Sequence, residues 1–290
     1  MKNSLLLYIK ITTFIIILMT TATTTQAQDA GKYAQVNGIK MYYEIHGKGQ
    51  PLVLIHGGGS TMHTSFGKIM PQLAKTHMVI AVDLQNHGRT SARDIPETFE
   101  QDADDVAELL KQLNIKGADV MGFSNGGSTT LQLAIRHPEL VHKLVAISAL
   151  YKRAGTFPWF WDFMRNADIS SMPQIYKDVY LAIPGNTQAG LQNMHDKDAQ
   201  RMQTFKDWNA DDIKAIQAPT LVIVSDQDVI TPEHAIELSR LLPHGRLTIM
   251  PGSHGAFMGE VMAPNPDSKV PALFVALLDE FLTEGMPEVK

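Results

Sequence analysis

The sequence contains no cysteine. That absence excludes thiolate nucleophiles, CxxC redox pairs, cysteine metal ligands, disulfides and cysteine-linked lipid anchors, while leaving the redox compartment open. It also lacks any cluster of Lys and Arg, and 30 acidic residues outnumber 25 basic ones for a formal net charge of −5. A chain that cannot neutralise a run of phosphates argues against a nucleic-acid partner. No HExxH or HxHxDH motif offers a zinc site, and Gly67-Lys68 lacks the upstream Gly and the following Ser or Thr of a phosphate-binding loop. No metal or cofactor is implied. Beyond residue 27 no second long apolar run appears.

The 290 residues are 44% hydrophobic and 19% charged, an ordinary globular composition. Residues 1–27 read as a secretory signal: Lys2 and Lys10 form a cationic start, Ile11 to Met19 an apolar centre, and Thr25-Gln26-Ala27 a small-x-small cleavage site. The apolar centre holds two Thr and is far shorter than the ~20 residues that span a bilayer. Cleavage after Ala27 leaves 23 basic residues against 30 acidic ones, a mature net charge of −7. The expectation is a secreted or periplasmic protein with no stable membrane anchor.

Two strand-like runs, Tyr33 to Val36 and Ile39 to Ile45, flank Asn37-Gly38, the signature of a tight hairpin. Apolar, β-rich runs follow at Leu52 to Ile55, Met78 to Val82, Ala118 to Met121, Leu144 to Ile147, Leu221 to Val224 and Leu247 to Met250. Such runs suit parallel strands buried on both faces. Helical stretches alternate with them, clearest from Phe99 to Leu113, where Phe99, Ala103, Val106, Leu109, Leu110 and Leu113 share a face. Alternation of this kind implies a parallel sheet whose functional groups sit on loops beyond the carboxyl ends of the strands. The rhythm breaks between Tyr151 and Ala218, which reads as an inserted helical cap (151–218) within a core formed by 28–150 and 219–290. The chain's few aromatics concentrate there: Phe157, Trp159, Phe160, Trp161, Phe163, Tyr176, Tyr180, Phe205 and Trp208. Packing of the cap on itself is the simpler role for them, ahead of substrate contact.

Gly122-Phe123-Ser124-Asn125-Gly126 is a GxSxG between the strand Ala118 to Met121 and an apolar-periodic stretch. Ser124 must project from a sharp turn, where side chains at 122 and 126 would meet neighbouring backbone. A hydroxyl alone is a poor nucleophile, so a base is required. Of the eleven histidines, His254 stands on a loop just after the last strand. His137 and His142 flank a helix end, and His195, His234 and His244 fall in surface-like contexts. Ser225-Asp226-Gln227-Asp228, after the preceding strand, supplies an acid in the chain order serine, acid, histidine.

With these motifs the sequence resembles the α/β-hydrolase fold superfamily, in its serine-nucleophile branch with a helical cap, from Tyr33 to Leu282. His56-Gly57-Gly58-Gly59 looks like the family's HGxG oxyanion loop, and Asp83-Leu84-Gln85-Asn86-His87-Gly88-Arg89 is similar to its DxxGHGxS segment. Asp228 occupies the place of the acid in GxxD. The resemblance implies a mostly parallel sheet of about eight strands with helices on both faces, a catalytic set of Ser124, Asp228 and His254, and an oxyanion hole from the backbone N–H groups of Gly58 and Asn125. His56, Asp83 and His87 are then supports. Three positions depart from the pattern: Ser225, Asn86 and Ser253 each stand where the family has Gly, and the first leaves Asp226 as a rival to Asp228.

The expected activity is hydrolysis of a small carboxylic ester or lactone through an acyl-enzyme, with no oligomeric state assigned. Carbon-carbon bond hydrolysis or enol-lactone hydrolysis is the alternative within the same fold. A perhydrolase, a haloperoxidase and a ligand-binding member without turnover are weaker alternatives.

Overall fold

The computed structural model describes residues 31–285; the signal expected at 1–27 lies outside the described residues. The central apolar runs are buried on both faces, whereas Ile249 in the last run, expected to be buried, is exposed. All eight runs fall within strands of one sheet: β1 Lys32–Val36, β2 Ile39–His46, β3 Gln50–Ile55, β4 His77–Val82, β5 Ala118–Phe123, β6 Val141–Ile147, β7 Thr220–Gln227 and β8 Gly245–Ser253. Their order is β1-β2-β4-β3-β5-β6-β7-β8. The β1 and β2 pair is antiparallel, as is β2 with β4, and the remaining pairs are parallel. Asn37 (φ 43°) and Gly38 (φ 88°) make the hairpin turn with two successive left-handed residues.

Alternate residues of each strand feed two different cores. Val53, Ile55, Val120, Ala146 and Val224 pack on one face against Phe99, Val106 and Leu110 of helix α3 (Phe99–Gln112), Leu131 of α4 (Asn125–Arg136) and Leu238 of α9 (Pro232–Leu241). Leu52, Leu54, Met121, Ile147 and Ile223 pack on the other face. Their partners are Met62 and Phe66 of α1 (Met62–Phe66), Leu73 of α2 (Met70–Leu73), and Phe274 and Leu278 of α10 (Val270–Thr283). Each such side chain, fully buried, contributes about 1.5–3 kcal/mol. No strand position from 52 to 55 is therefore free to be polar.

The strand order positions the site. The chain moves from β3 to β4 on one side, then crosses to β5 on the other, so the loops after β3 and β5 emerge side by side. That divergence makes a crevice at the carboxyl ends of the strands. Between β6 and β7 the chain forms α5 (Pro158–Arg165), α6 (Gln174–Ala182), α7 (Gln188–Thr204) and α8 (Ala210–Lys214). Among the described residues no helix is long and apolar enough to cross a membrane.

Gly126 shows how tightly the β5–α4 turn is held. A Cβ there would lie 2.1 Å from the Ile55 carbonyl oxygen and 2.4 Å from that of His56. Overpacking against backbone costs about 1–3 kcal/mol, so Gly126→Ala is expected to lower the melting temperature by about 2–12 °C, given ~2–4 °C per kcal/mol at this size. Thermal unfolding checks it, and an unchanged midpoint would contradict the close approach.

Candidate active site

Ser124 occupies a backbone conformation that non-glycine residues rarely adopt, with φ 57° and ψ −119°. Its N–H donates to the Ile147 carbonyl (2.8 Å) and its carbonyl accepts from the Ser128 N–H (3.0 Å), which pins the turn from both sides. The side chain makes no capping bond to α4, so a helix-capping role is excluded. The loop after β3 lies directly on this turn: a Cβ on Gly57 would be 3.2 Å from that of Ser124, and one on Gly58 only 2.4 Å from Asn125 Nδ2. The backbone N–H groups of Gly58 and Asn125 take no partner in the described hydrogen bonds. Asn125 is the first residue of α4, where an N–H has no intrahelical acceptor.

His254 follows β8, and its ring rests on Phe123, centroids 4.6 Å apart. Its Nδ1 donates to Asp228 Oδ1 at 2.6 Å. That bond fixes the tautomer and leaves Nε2 as the free nitrogen. Burial opposes a charge on the imidazole, but adjacent Asp228 raises its pKa above the ordinary histidine value. Asp228 is itself buried, which would raise its pKa; His254, the Ser148 hydroxyl (2.6 Å) and the Ile230 N–H (3.2 Å) outweigh this and hold it below the usual carboxylate range. Asp226 instead accepts the Gly252 N–H (2.8 Å). Ser124 and His254 line one cavity of about 570 Å³ together with Gly58 and Asn125. No hydrogen bond joins the hydroxyl to the imidazole among the described residues, a looseness common in unliganded sites.

The supporting residues hold loops. His56 is fully buried: Nδ1 donates to the Gly57 carbonyl (2.7 Å) and Nε2 accepts the Leu84 N–H (2.9 Å). Burial and neighbouring His87 lower its pKa to about 3, so it stays neutral. Asp83 accepts the N–H groups of Met62 and Arg89, both at 3.1 Å. The departures from the family pattern have local reasons. Asn86 takes φ 65°, which asparagine tolerates in place of glycine. Ser225 Oγ donates to the Ser253 carbonyl (2.8 Å), tying the acid turn to the histidine loop.

Two histidines differ from expectation. His195 lines the cavity, and His234 is buried, its ring stacked 4.8 Å from Tyr151 with its pKa lowered to about 4 by burial. The aromatics between β6 and β7 divide three ways. Phe205 and Trp208 pack with Phe99 and Trp161 stacks on Phe205; Phe160 and Phe163 reach the cavity; and Phe157 and Trp159 carry substantial exposure, as does part of Phe163. Tyr176 also lines the cavity, and residues not singled out from sequence complete the lining, Ser148, Asp198 and Glu260 among them. Glu260 accepts the Tyr176 hydroxyl (2.6 Å), and its pKa is raised chiefly by burial. The lining includes no Lys or Arg among the described residues. The described residues also contain no group of three His, Asp or Glu arranged to hold a metal ion.

A model of the alpha/beta hydrolase fold matches residues 50–172. The chain has the α/β-hydrolase fold. It is 33% identical over 121 residues to 2-hydroxy-6-oxo-6-(2'-aminophenyl)hexa-2,4-dienoic acid hydrolase from Metapseudomonas resinovorans, covering 41% of this chain and 42% of that one. Against the serine hydrolase BPHL of Homo sapiens it is 29% identical over 232 residues, covering 76% and 78%. The crystal structure of the enol-lactonase from Burkholderia xenovorans LB400 superposes with a TM-score of 0.69 at 21% identity, over 87% of this chain and 100% of that one. This α/β-hydrolase fold thus has relatives named for several hydrolytic reactions.

Glu97 exposes the energetics of the polar layer beneath the crevice. Its carboxylate is buried and neither oxygen has a hydrogen-bond partner. Burial pushes its pKa up, with Arg201 opposing. A proton held more tightly in the folded state means that ionised Glu97 destabilises the fold as pH rises through the folded pKa, and that this penalty fades below the unfolded value. Glu97→Gln is therefore expected to raise the melting temperature at pH 8 and to leave it nearly unchanged at pH 4. An equal effect at both pH values would contradict this.

Proposed function

We propose that the chain is a serine hydrolase of a small, uncharged carboxylic ester or lactone, and that residues 151–218 form a helical cap over its site. The observation that carries the reading is the Asp228–His254 hydrogen bond of 2.6 Å at the wall of the cavity that Ser124 shares. Ser124 Oγ attacks the carbonyl while His254 Nε2 takes its proton. The tetrahedral oxyanion is received by the N–H groups of Gly58 and Asn125, each such donor being worth ~3 kcal/mol. His254 then protonates the leaving oxygen, and water, deprotonated by the same imidazole, clears the acyl-enzyme. Asp228 keeps the imidazole in the correct tautomer and stabilises its charged form.

Cleavage of a carbon-carbon bond is the second reading, favoured by the likeness to the dienoic acid hydrolase. A dienoic acid brings a carboxylate into the cavity. The lining offers that carboxylate no Lys or Arg, which favours an uncharged acyl substrate. Export with cleavage after Ala27 is part of the proposal, supported by the pattern of residues 1–27, and amino-terminal sequencing of the exported protein should begin at Gln28.

Purified protein assayed side by side on short acyl esters, lactones and vinylogous diketones is expected to turn over the first two, and Ser124→Ala to lose essentially all of that activity. Diketone cleavage with ester inertness would overturn the substrate class, and full activity in Ser124→Ala would overturn the mechanism. Because only neutral imidazole accepts the serine's proton, kcat/KM should fall as pH drops, with its midpoint above the ordinary ~6.5 of histidine. Asp228→Asn should move that midpoint downward and lower kcat by ~10⁴. A rate unchanged down to pH 5 would contradict His254 as the base.

A further inference from the structure

Outside the Ser124, His254 and Asp228 set, the strongest concentration of buried charge lies where α7 meets the loops after β3 and β4. Asp198 on α7 stands at its centre. Its Oδ2 accepts the Gly59 N–H at 2.6 Å and the His87 Nε2–H at 2.9 Å, and its Oδ1 is paired with Arg201. Arg201 in turn donates to Asp102 (2.6 Å), which also accepts Gln85 Nε2 (3.0 Å). His87 Nδ1 faces the Gln85 carbonyl at 2.8 Å. Acceptors at both ring nitrogens favour the doubly protonated, charged ring, and the Gly59 N–H, bonded to Asp198, also lies 3.2 Å from Nε2. Burial opposes that charge, but Asp198 raises its pKa to about 9.

We propose that Asp198 is a positioning residue for the oxyanion loop: it captures the Gly59 N–H and so leaves the Gly58 N–H as the loop donor facing Ser124. The inference rests on the serine-hydrolase reading. Three features carry it. Gly59 is left-handed (φ 64°), so its amide direction is set by what binds it. A Cβ on Gly58 would lie 3.2 Å from Asp198 Oδ2 and 2.4 Å from Asn125 Nδ2, so the carboxylate, the loop and the start of α4 meet at one point. Asp198 itself lines the cavity. Its charge does not repel a developing oxyanion, because His87 and Arg201 compensate it at close range. The oxyanion loop is thereby tied to a helix of the β6–β7 segment.

The test compares wild type, Asp198→Ala and Asp198→Asn on one short ester, and measures affinity for two unreactive or reversible probes. One is a trifluoromethyl ketone, which Ser124 adds to reversibly to form an oxyanion; the other is the ether of the same shape, which has no carbonyl. Asp198→Ala is expected to lose about 100-fold in kcat with KM little changed, the signature of an interaction made only in the transition state. Ketone affinity should fall with kcat while ether affinity stays put. Asp198→Asn keeps one acceptor oxygen but not the charge that holds His87 and Arg201, and should lose about tenfold. If the alanine variant does not fold, the asparagine variant decides. Unchanged kcat in a folded variant, or equal losses of ketone and ether affinity, would overturn the positioning role alone. A wild type that neither turns over esters nor binds the ketone would overturn the serine-hydrolase reading and this inference with it.

Discussion

The strained turn at Ser124 is the constraint from which the rest of the site follows. A positive φ on a non-glycine residue at such ψ costs of order 1–3 kcal/mol and persists only where its surroundings over-determine it. Here they do. The Ile147 carbonyl holds the Ser124 amide, Gly122 and Gly126 leave room for backbone to touch backbone, and the loop after β3 closes over the top. A relaxed turn would swing the hydroxyl into the start of α4, where serine commonly caps a helix. The strain keeps it in the cavity instead, next to two free N–H groups.

Charge around the cavity is handled by two different devices. Asp228 is kept ionised although buried, because a histidine, a serine hydroxyl and a backbone amide all donate to it. Asp198, His87, Arg201 and Asp102 form a chain of alternating sign across the join between α7 and the core. Buried pairs of this kind add little net stability compared with apolar packing, yet losing one member leaves its partner exposed to the full desolvation cost. Their value here is in direction: they fix which amide of the oxyanion loop stays free.

The central strands were legible because burial on both faces leaves an unbroken apolar run, and the Asn37-Gly38 turn because few other dipeptides accept two left-handed residues. GxSxG carried its own steric logic. Spacing alone did not separate Asp226 from Asp228; the pairing depends on the bulged end of β7, where Ser225 faces Met250 and Gln227 faces Ser253. Asp198 and Arg201 were not legible at all. They sit on a helix whose polar residues point in every direction, and their partners lie 139 residues away at Gly59, 111 at His87 and 99 at Asp102. A lone Asp–Arg pair three apart on a helix ordinarily means a solvated face. His234 failed as a surface residue for the same reason, since its burial depends on Tyr151, 83 residues earlier.

The chemistry of the site depends on Ser124 being an activated nucleophile. Incubation of folded protein with a fluorophosphonate, followed by intact-mass measurement and peptide mapping, tests this most directly. One adduct per chain, on the peptide that contains Ser124 and strongly slowed in His254→Ala, is the predicted result. Folded protein that takes up no label, or takes it up on a different serine, would contradict it.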